Sequence, residues 1–422
     1  SAGSGSGIVS GITVGGGTTN NIFKNKVYDL FSSNTGASTV ISGIKASAGI
    51  TNNISNNLVG FGNSLTGVNV ADAAVRGVNL NSVTTTTTNL YYNTIYLSTT
   101  STGTNFGTAG VYQVYSATAT TNALDMRNNI IVNNSTKSGT GLTVAFERTT
   151  STTTWANFLA ASNYNLLYAG SPGPSNLIFW AQSDQPQTIA AYKALTGFGA
   201  REQASATENP PFLSTTGSSS NYLHIDPATS TQVESGAAAI AGYTDDYDAA
   251  AIRTGYPLAG QVNGGGVAPD IGADEGDFKL AKPTITSLST PTATCTATAH
   301  TVTVTCTTPI GTITGASITY NNGSLNSNVA MTYVSGSGFG PYVYSYSIPA
   351  ASPTNTTVTW SCIVTNSAGL TSAVSNGTSY TDDQNNGITA TASARPTSVC
   401  FGAADTLSVI INKSGTGVIG SG

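Results

Sequence analysis

Seven carboxylates crowd into the stretch from 245 to 277: Asp245, Asp246, Asp248, Asp270, Asp274, Glu275 and Asp277. Hard cations are held by several carboxylate and carbonyl oxygens. Asp245, Asp246, Asp248, Asp270 and Asp274 therefore make a candidate structural Ca²⁺ site, and Ca²⁺ is the single cofactor the residues suggest. The competing reading is a polar network in which Arg253 neutralises one or two of the acids and water solvates the rest. His224 and His300 are the only histidines, so a zinc cluster is not expected. His224, in the run YLHID, reads as a satisfied strand residue rather than a general base.

Glycoside hydrolysis needs two positioned carboxyls. Elimination from an acidic sugar needs a cation-binding carboxylate set beside a base. Residues 1–160 hold four acids (Asp29, Asp72, Asp125, Glu147) and seven bases (Lys24, Lys26, Lys45, Arg76, Arg127, Lys137, Arg148). No two acids fall at equivalent register within one repeat, and Asp125 and Arg127 share a strand face on which they would pair. The sequence therefore assigns no catalytic residue. Tyr91, Tyr92, Tyr112 and Tyr115 are candidates for stacking on sugar rings.

The elements that must position these residues follow from the composition. Of 422 residues only 8% are charged, against about 25% in an ordinary soluble domain. Gly, Thr, Ser, Asn and Ala take the place of charge, while 39% of the chain stays hydrophobic. With net charge −5 and 14 scattered bases, the electrostatic footprint of a nucleic-acid partner is missing. No apolar run reaches the roughly 18 residues of a membrane helix, so no membrane span is expected. Aliphatic residues recur too regularly for a disordered chain.

The recurrence has a period near 33. Gly-aliphatic pairs fall at Gly11-Ile12, Gly43-Ile44, Gly77-Val78, Gly110-Val111 and Gly141-Leu142. A second series runs Asn21-Ile22, Asn53-Ile54, Thr94-Ile95, Asn129-Ile130 and Asn165-Leu166. Short alternating runs between breakers read as strands. A unit of this size cannot bury its apolar side alone, so successive units must stack into a right-handed parallel β-helix. Outward rows then place like residues about 4.8 Å apart, which disfavours charge and favours Thr, Ser and Asn. Asn20, Asn21, Asn52, Asn53, Asn128 and Asn129 are expected to form a structural ladder at a tight corner.

The closing part of this region resembles a known family. The stretches SNYNLLYAG (162–170), TIAAYKALTGFGAREQAS (188–205), NPPFLS, YLHID, DDYDAAAIRTGYP and PDIGADEGDF (269–278) look like the end of secreted bacterial parallel β-helix proteins of the pectate-lyase-like kind. The resemblance implies a helix near 189–196 and a polar cap on the open β-helix end. It also implies export by a type IX-like system, with secretion machinery as a partner and a sorting domain beyond the last residue.

After Lys282-Pro283 short strands recur every 8–15 residues, the pattern of a β-sandwich. The texture resembles the immunoglobulin-like and fibronectin-like repeats of large bacterial surface proteins. That resemblance puts Cys306 and Cys362 where such modules carry an inter-sheet disulfide, with Trp360 close by; Cys295 and Cys400 are left without assigned partners. The run from Ile388 looks like the start of another module.

The expectation is thus an all-β chain: a right-handed parallel β-helix with its cap (1–278), an immunoglobulin-like β-sandwich (279–384) and a partial second sandwich (385–422). Both ends read as cut from a longer chain. The expected role is non-enzymatic: an extracellular or cell-surface, adhesin-like rod or display platform for a surface or glycan. The alternative is a polysaccharide lyase or glycoside hydrolase of the β-helix type.

Overall fold

The computed structural model describes residues 7–36, 38–149, 154–249, 253–263, 265–294, 297–308, 312–338, 340–353, 355–367 and 370–382, and the backbone of strands 388–395 and 406–413. Cys295 and Cys400 lie outside the described residues. The chain divides into two compact units, Ser1–Ala281 and Lys282–Gly422.

The first unit is a parallel β-solenoid of about five turns. Face one stacks Ile8–Val14, Val40–Ala46, Val70–Leu80, Phe106–Gln113, Thr143–Arg148 and Asn176–Trp180. Face two stacks Thr19–Phe23, Thr51–Ser55, Thr87–Tyr91 and Ala123–Arg127. Face three stacks Lys26–Tyr28, Leu58–Phe61, Thr94–Leu97, Ile130–Asn133 and Leu166–Tyr168. Because neighbouring strands are parallel and in register, each inward position becomes an apolar row. Ile12, Ile44, Val78, Val111, Phe146 and Phe179 align on face one. Ile22, Ile54, Leu90 and Met126 align on face two, and Val27, Val59, Ile95, Ile131 and Leu167 on face three. These rows fill one continuous core.

The glycines explain how the faces meet. A Cβ on Gly43, Gly77 or Gly110 would fall 2.3–2.4 Å from a methyl of Val59, Ile95 or Ile131 across the core. Only glycine lets face three approach face one so closely. The fifth expected member, Gly141, is out of register, because Phe146 pairs with Val111 and so puts Ala145 beside Gly110. Gly141 instead lies against the Phe106 backbone.

Between faces two and three the chain turns through one residue with positive φ: Lys24, Asn56, Tyr92, Asn128 and Tyr164, at 52–59°. The left-handed conformation costs about 1–2 kcal/mol for an L-residue, and the following asparagine compensates. Asn25, Asn57, Asn93 and Asn129 each donate Nδ2 to Oδ1 of the next asparagine, 2.8–3.0 Å away, the last recipient being Asn165. Those same Oδ1 atoms accept the backbone N–H of the preceding coil's asparagine at 3.0–3.1 Å.

The expected asparagine ladder is therefore split among three rows. Asn129 belongs to the buried one. Asn128 is the left-handed residue beside it, and its amide holds Ala238. Asn20–Asn52 and Asn21–Asn53–Asn89 form separate rows along face two, with amide contacts of 2.8 Å.

The core closes on an aromatic plug of Trp155, Phe158, Phe179, Tyr192 and Phe198, with centroids 4.7–6.5 Å apart. Tyr192 comes from the short helix Ile189–Lys193, which Thr188 caps by accepting the Ala191 amide.

The rest of the unit does not simply cover the open end, as the resemblance implied. It runs as a strap along the left-handed corner, touching four successive coils. Asp245 pairs with Lys24. The Asp245 carbonyl accepts from Asn56, and the Ala238 carbonyl accepts from Tyr92 and Asn128. At its far end Lys279–Leu280 pairs in parallel with Ser230–Thr231.

The second unit packs two antiparallel sheets. One holds Thr284–Leu288, His300–Thr307, Thr332–Ser335 and Tyr342–Ile348. The other holds Ile313–Asn321, Leu325–Ala330, Thr357–Asn366, Ser375–Asn376 and Tyr380–Thr381. Their inner faces share a core built on Val302, Val304, Ile318, Ile348, Val358, Trp360 and Val364. Cys306 and Cys362 sit on opposite sheets and both are buried, but they are free thiols. The expected bridge is not formed: Cys306 Sγ lies against the Tyr342 carbonyl and Cys362 Sγ against Met331 Sδ, at 3.8 and 3.7 Å. Burial pushes the two thiols up to about 11 and about 12. Strands Ile388–Arg395 and Thr406–Lys413 pair as an antiparallel hairpin.

Candidate functional site

The acids of the strap divide among separate partners. Asp270 accepts the amides of Ser235 (2.7 Å) and Gly276 (2.9 Å), and Asp277 those of Val262 (2.9 Å) and Asn263 (3.0 Å). Glu275 takes Arg253 Nε at 3.1 Å, the Asp270 amide at 2.9 Å and the Tyr256 hydroxyl. Arg253 is wholly enclosed. Beyond Glu275 it reaches Asn56 Oδ1 (3.0 Å) and the Gly272 carbonyl (2.8 Å), and it lies 4.0 Å from the Tyr92 ring centroid. The expected solvated acids are buried instead: Asp246, Asp270, Asp274 and Glu275 are each at most 7% exposed.

The five acids expected to share one cation are consequently not brought to one centre. Asp245 is drawn to Lys24 and Asp270 to backbone amides. Among the described residues, the one group with converging ligand atoms is His224, Asp248 and Asp274, all within 4.8 Å of one another. His224 Nε2 is 3.1 Å from Asp248 Oδ2, and Asp274 Oδ2 accepts the Ile225 amide at 2.8 Å. Burial, with Asp246 and Asp248 nearby, pushes the Asp274 carboxyl up to about 6 against the pull of the Ile225 amide and His224. Burial likewise raises Asp270, together with Glu275 and Glu234.

A second cluster lies on the outward side of face one. Lys45, Asn79, Tyr112, Glu147 and Trp180 share one register row across successive coils. The strand Val70–Leu80 carries extra residues before Val75, where its register against Phe106–Gln113 shifts. That bulge brings Asp72 to Glu147, although the two lie two coils apart. Glu147 is held well above the usual carboxylate range, first by burial and then by the charge and hydrogen bond of Asp72. Arg76 lies 3.5 Å from Asp72 and stacks on Tyr112, its guanidinium carbon 3.4 Å from the ring centroid. The sequence missed this pair because repeat register cannot anticipate a bulge.

The tyrosines expected to meet sugar are mostly enclosed. Tyr92 is fully buried with its hydroxyl on the Ala238 carbonyl. Tyr91 donates to Asp125 at 2.7 Å and packs edge-on against Tyr243. Tyr112 lies under Arg76, and only Tyr115 of the four remains half-exposed. Asp125 and Arg127 form an ion pair.

These features define an all-β protein: a parallel β-solenoid held by a lengthwise strap, with a β-sandwich unit. No protein-family model matches the chain, and no curated protein matches it. No helix among the described residues is long and apolar enough to cross a membrane.

Proposed function

We propose that this chain is a non-enzymatic segment of a large secreted or cell-surface protein, in which the solenoid acts as an adhesin-like rod or display platform toward an extracellular surface or glycan. The observation that carries this reading is the strap anchored to four successive coils through Lys24, Asn56, Tyr92 and Asn128. Asp245, and Glu275 through Arg253, tie it to the coils. Continuous side-chain ladders add to a stiffness that suits display rather than an opening and closing cleft. Export by a type IX-like route belongs to the same proposal. Glycan-array binding with the whole chain tests it, run beside an assay for new reducing ends or unsaturated sugar products. Binding without turnover is expected, and turnover would overturn the reading.

One observation favours the alternative of a polysaccharide lyase or hydrolase. Glu147 and Asp72 form a hydrogen-bonded carboxyl pair, with aromatic Tyr112 and Trp180 on either side of Glu147 in its row. A raised carboxyl is the protonated group that general-acid chemistry uses. Turnover abolished by Glu147→Gln, with unchanged circular dichroism, would establish that second reading.

A further inference from the structure

We propose that His224, Asp248 and Asp274 bind a divalent transition-metal ion of the zinc class, which clips together three separate lengths of the strap. Each residue offers one ligand atom, and the three atoms lie within 4.8 Å of one another. They come from the turn around Tyr222–Asp226, the segment ending at Asp248, and the 270–275 stretch.

The imidazole carries the argument. His224 Nδ1 is 3.2 Å from the Tyr222 carbonyl oxygen. A carbonyl only accepts, so the tautomer that satisfies this contact carries its proton on Nδ1 and presents a lone pair at Nε2. That lone pair faces Asp248 Oδ2 at 3.1 Å, which is also an acceptor. In that tautomer the two acceptors need a cation between them, a second ring proton or a metal ion, whereas the opposite tautomer would donate to Asp248 and leave the Tyr222 carbonyl unserved. Metal-ligating histidines are held in this way, with the far nitrogen donating to a backbone carbonyl to fix tautomer and ring orientation. Asp274 supplies the second indication. It is only 7% exposed, one of its oxygens takes the Ile225 amide, and the other accepts no hydrogen bond from a described residue. Asp246 adds negative charge close by.

The donor set selects the metal. Ca²⁺ takes six to eight oxygens and makes little use of imidazole. One nitrogen and two carboxylates, with the Asp248 side chain 56% exposed to solvent, match a four-coordinate zinc-class ion completed by water. Two histidines argue against zinc at the level of sequence, but this mixed set needs only one of them.

The test uses the whole chain stripped with chelator and titrated calorimetrically with ZnCl₂ and, separately, CaCl₂. One Zn²⁺ per chain should bind, with a higher melting temperature by mass action. Co²⁺ in its place should give the visible absorption of a tetrahedral site. His224→Gln and Asp248→Asn should each weaken Zn²⁺ binding tenfold or more, and the exposed position of Asp248 lets the second variant keep its circular dichroism. Absence of saturable Zn²⁺ binding would overturn the proposal and leave a plain His224–Asp248 hydrogen bond. Ca²⁺ binding as tight as Zn²⁺, or Zn²⁺ binding indifferent to Asp248→Asn, would overturn it too.

Discussion

The Asn165 amide is clamped on the Glu202 carboxylate, with Nδ2 3.1 Å from Oε1 and 3.0 Å from Oε2. The pair ends the asparagine ladder: five amides run down the corner, and in place of a sixth Ser205 accepts the Asn165 N–H while Glu202 takes its side-chain amide. Ser205 also donates to Glu202. The surrounding donors favour the carboxylate, yet burial outweighs them and pushes Glu202 up to about 7.

That shift predicts a pH dependence with a definite sign. A carboxyl raised in the folded state binds its proton more tightly there than in the unfolded chain. Its stabilising contribution is complete below the unfolded value near 4.5 and is lost as pH rises through about 7. The loss amounts to about 3 kcal/mol, at 1.36 kcal/mol per unit. Urea melts of the whole chain between pH 4.5 and 8 should show stability falling over that window. Glu202→Gln should remove about that much of the slope, and an unchanged slope would show that Glu202 is not the responsible group.

Arg253 is the strap's fastening. Its guanidinium joins Glu275, Asn56 and the Gly272 carbonyl without contact with water. Removing one partner of a buried ion pair costs about 3–5 kcal/mol, because the other charge is left uncompensated. Arg253→Met should therefore loosen the strap before the coils. Hydrogen exchange should accelerate at the amides of Ile225, Ile271 and Gly272, while Ile95 and Ile131 in face three stay protected. Uniform loss of protection would mean that strap and coils melt as one unit.

The glycine row gives a steric prediction. In Gly77→Ala the new methyl would fall 2.4 Å from Ile95 Cγ2 and 2.6 Å from the Gly110 carbonyl. Overpacking of this kind costs about 1–3 kcal/mol. Gly15→Ala, where a Cβ meets nothing within 4 Å, serves as the control and should be close to neutral. Equal melting temperatures for the two variants would refute the close-approach explanation.

The same rows show what the sequence could reveal. Gly11, Gly43, Gly77 and Gly110 mark the coil because steric need fixes them once per turn. Asn21 and Asn53 align because their side-chain amides bond to each other along the row. The second series slips where two asparagine rows run side by side: Asn21 and Asn53 belong to face two, while Asn129 and Asn165 belong to the corner ladder. A residue type repeated in two neighbouring rows cannot tell a reader which row it occupies. The strap was opaque for another reason. Its contacts join residues about 110 to 220 positions apart, such as Asn128 with Ala238 and Lys24 with Asp245, and no local pattern encodes them. Asp72 with Glu147 was hidden by the bulge before Val75.

The two asparagine rows make opposite demands, and substitution separates them. Asn93 is fully buried. It donates to Asn129 Oδ1 (3.0 Å), the Ile54 carbonyl (2.9 Å) and the Tyr91 carbonyl (3.0 Å), and it accepts the Asn57 amide (3.1 Å) and side chain (2.8 Å). Truncation strands several buried groups, each worth about 1–3 kcal/mol when left unpaired. Asn53 is only partly buried, and its side chain joins Asn21 and Asn89 where water can replace it; a typical net hydrogen bond contributes about 1 kcal/mol. Asn93→Ala should therefore cost about 3 kcal/mol or more in denaturant melts, and Asn53→Ala about 1 kcal/mol. Similar losses at both sites would mean that the corner ladder owes its order to the aliphatic rows beside it rather than to its own amides.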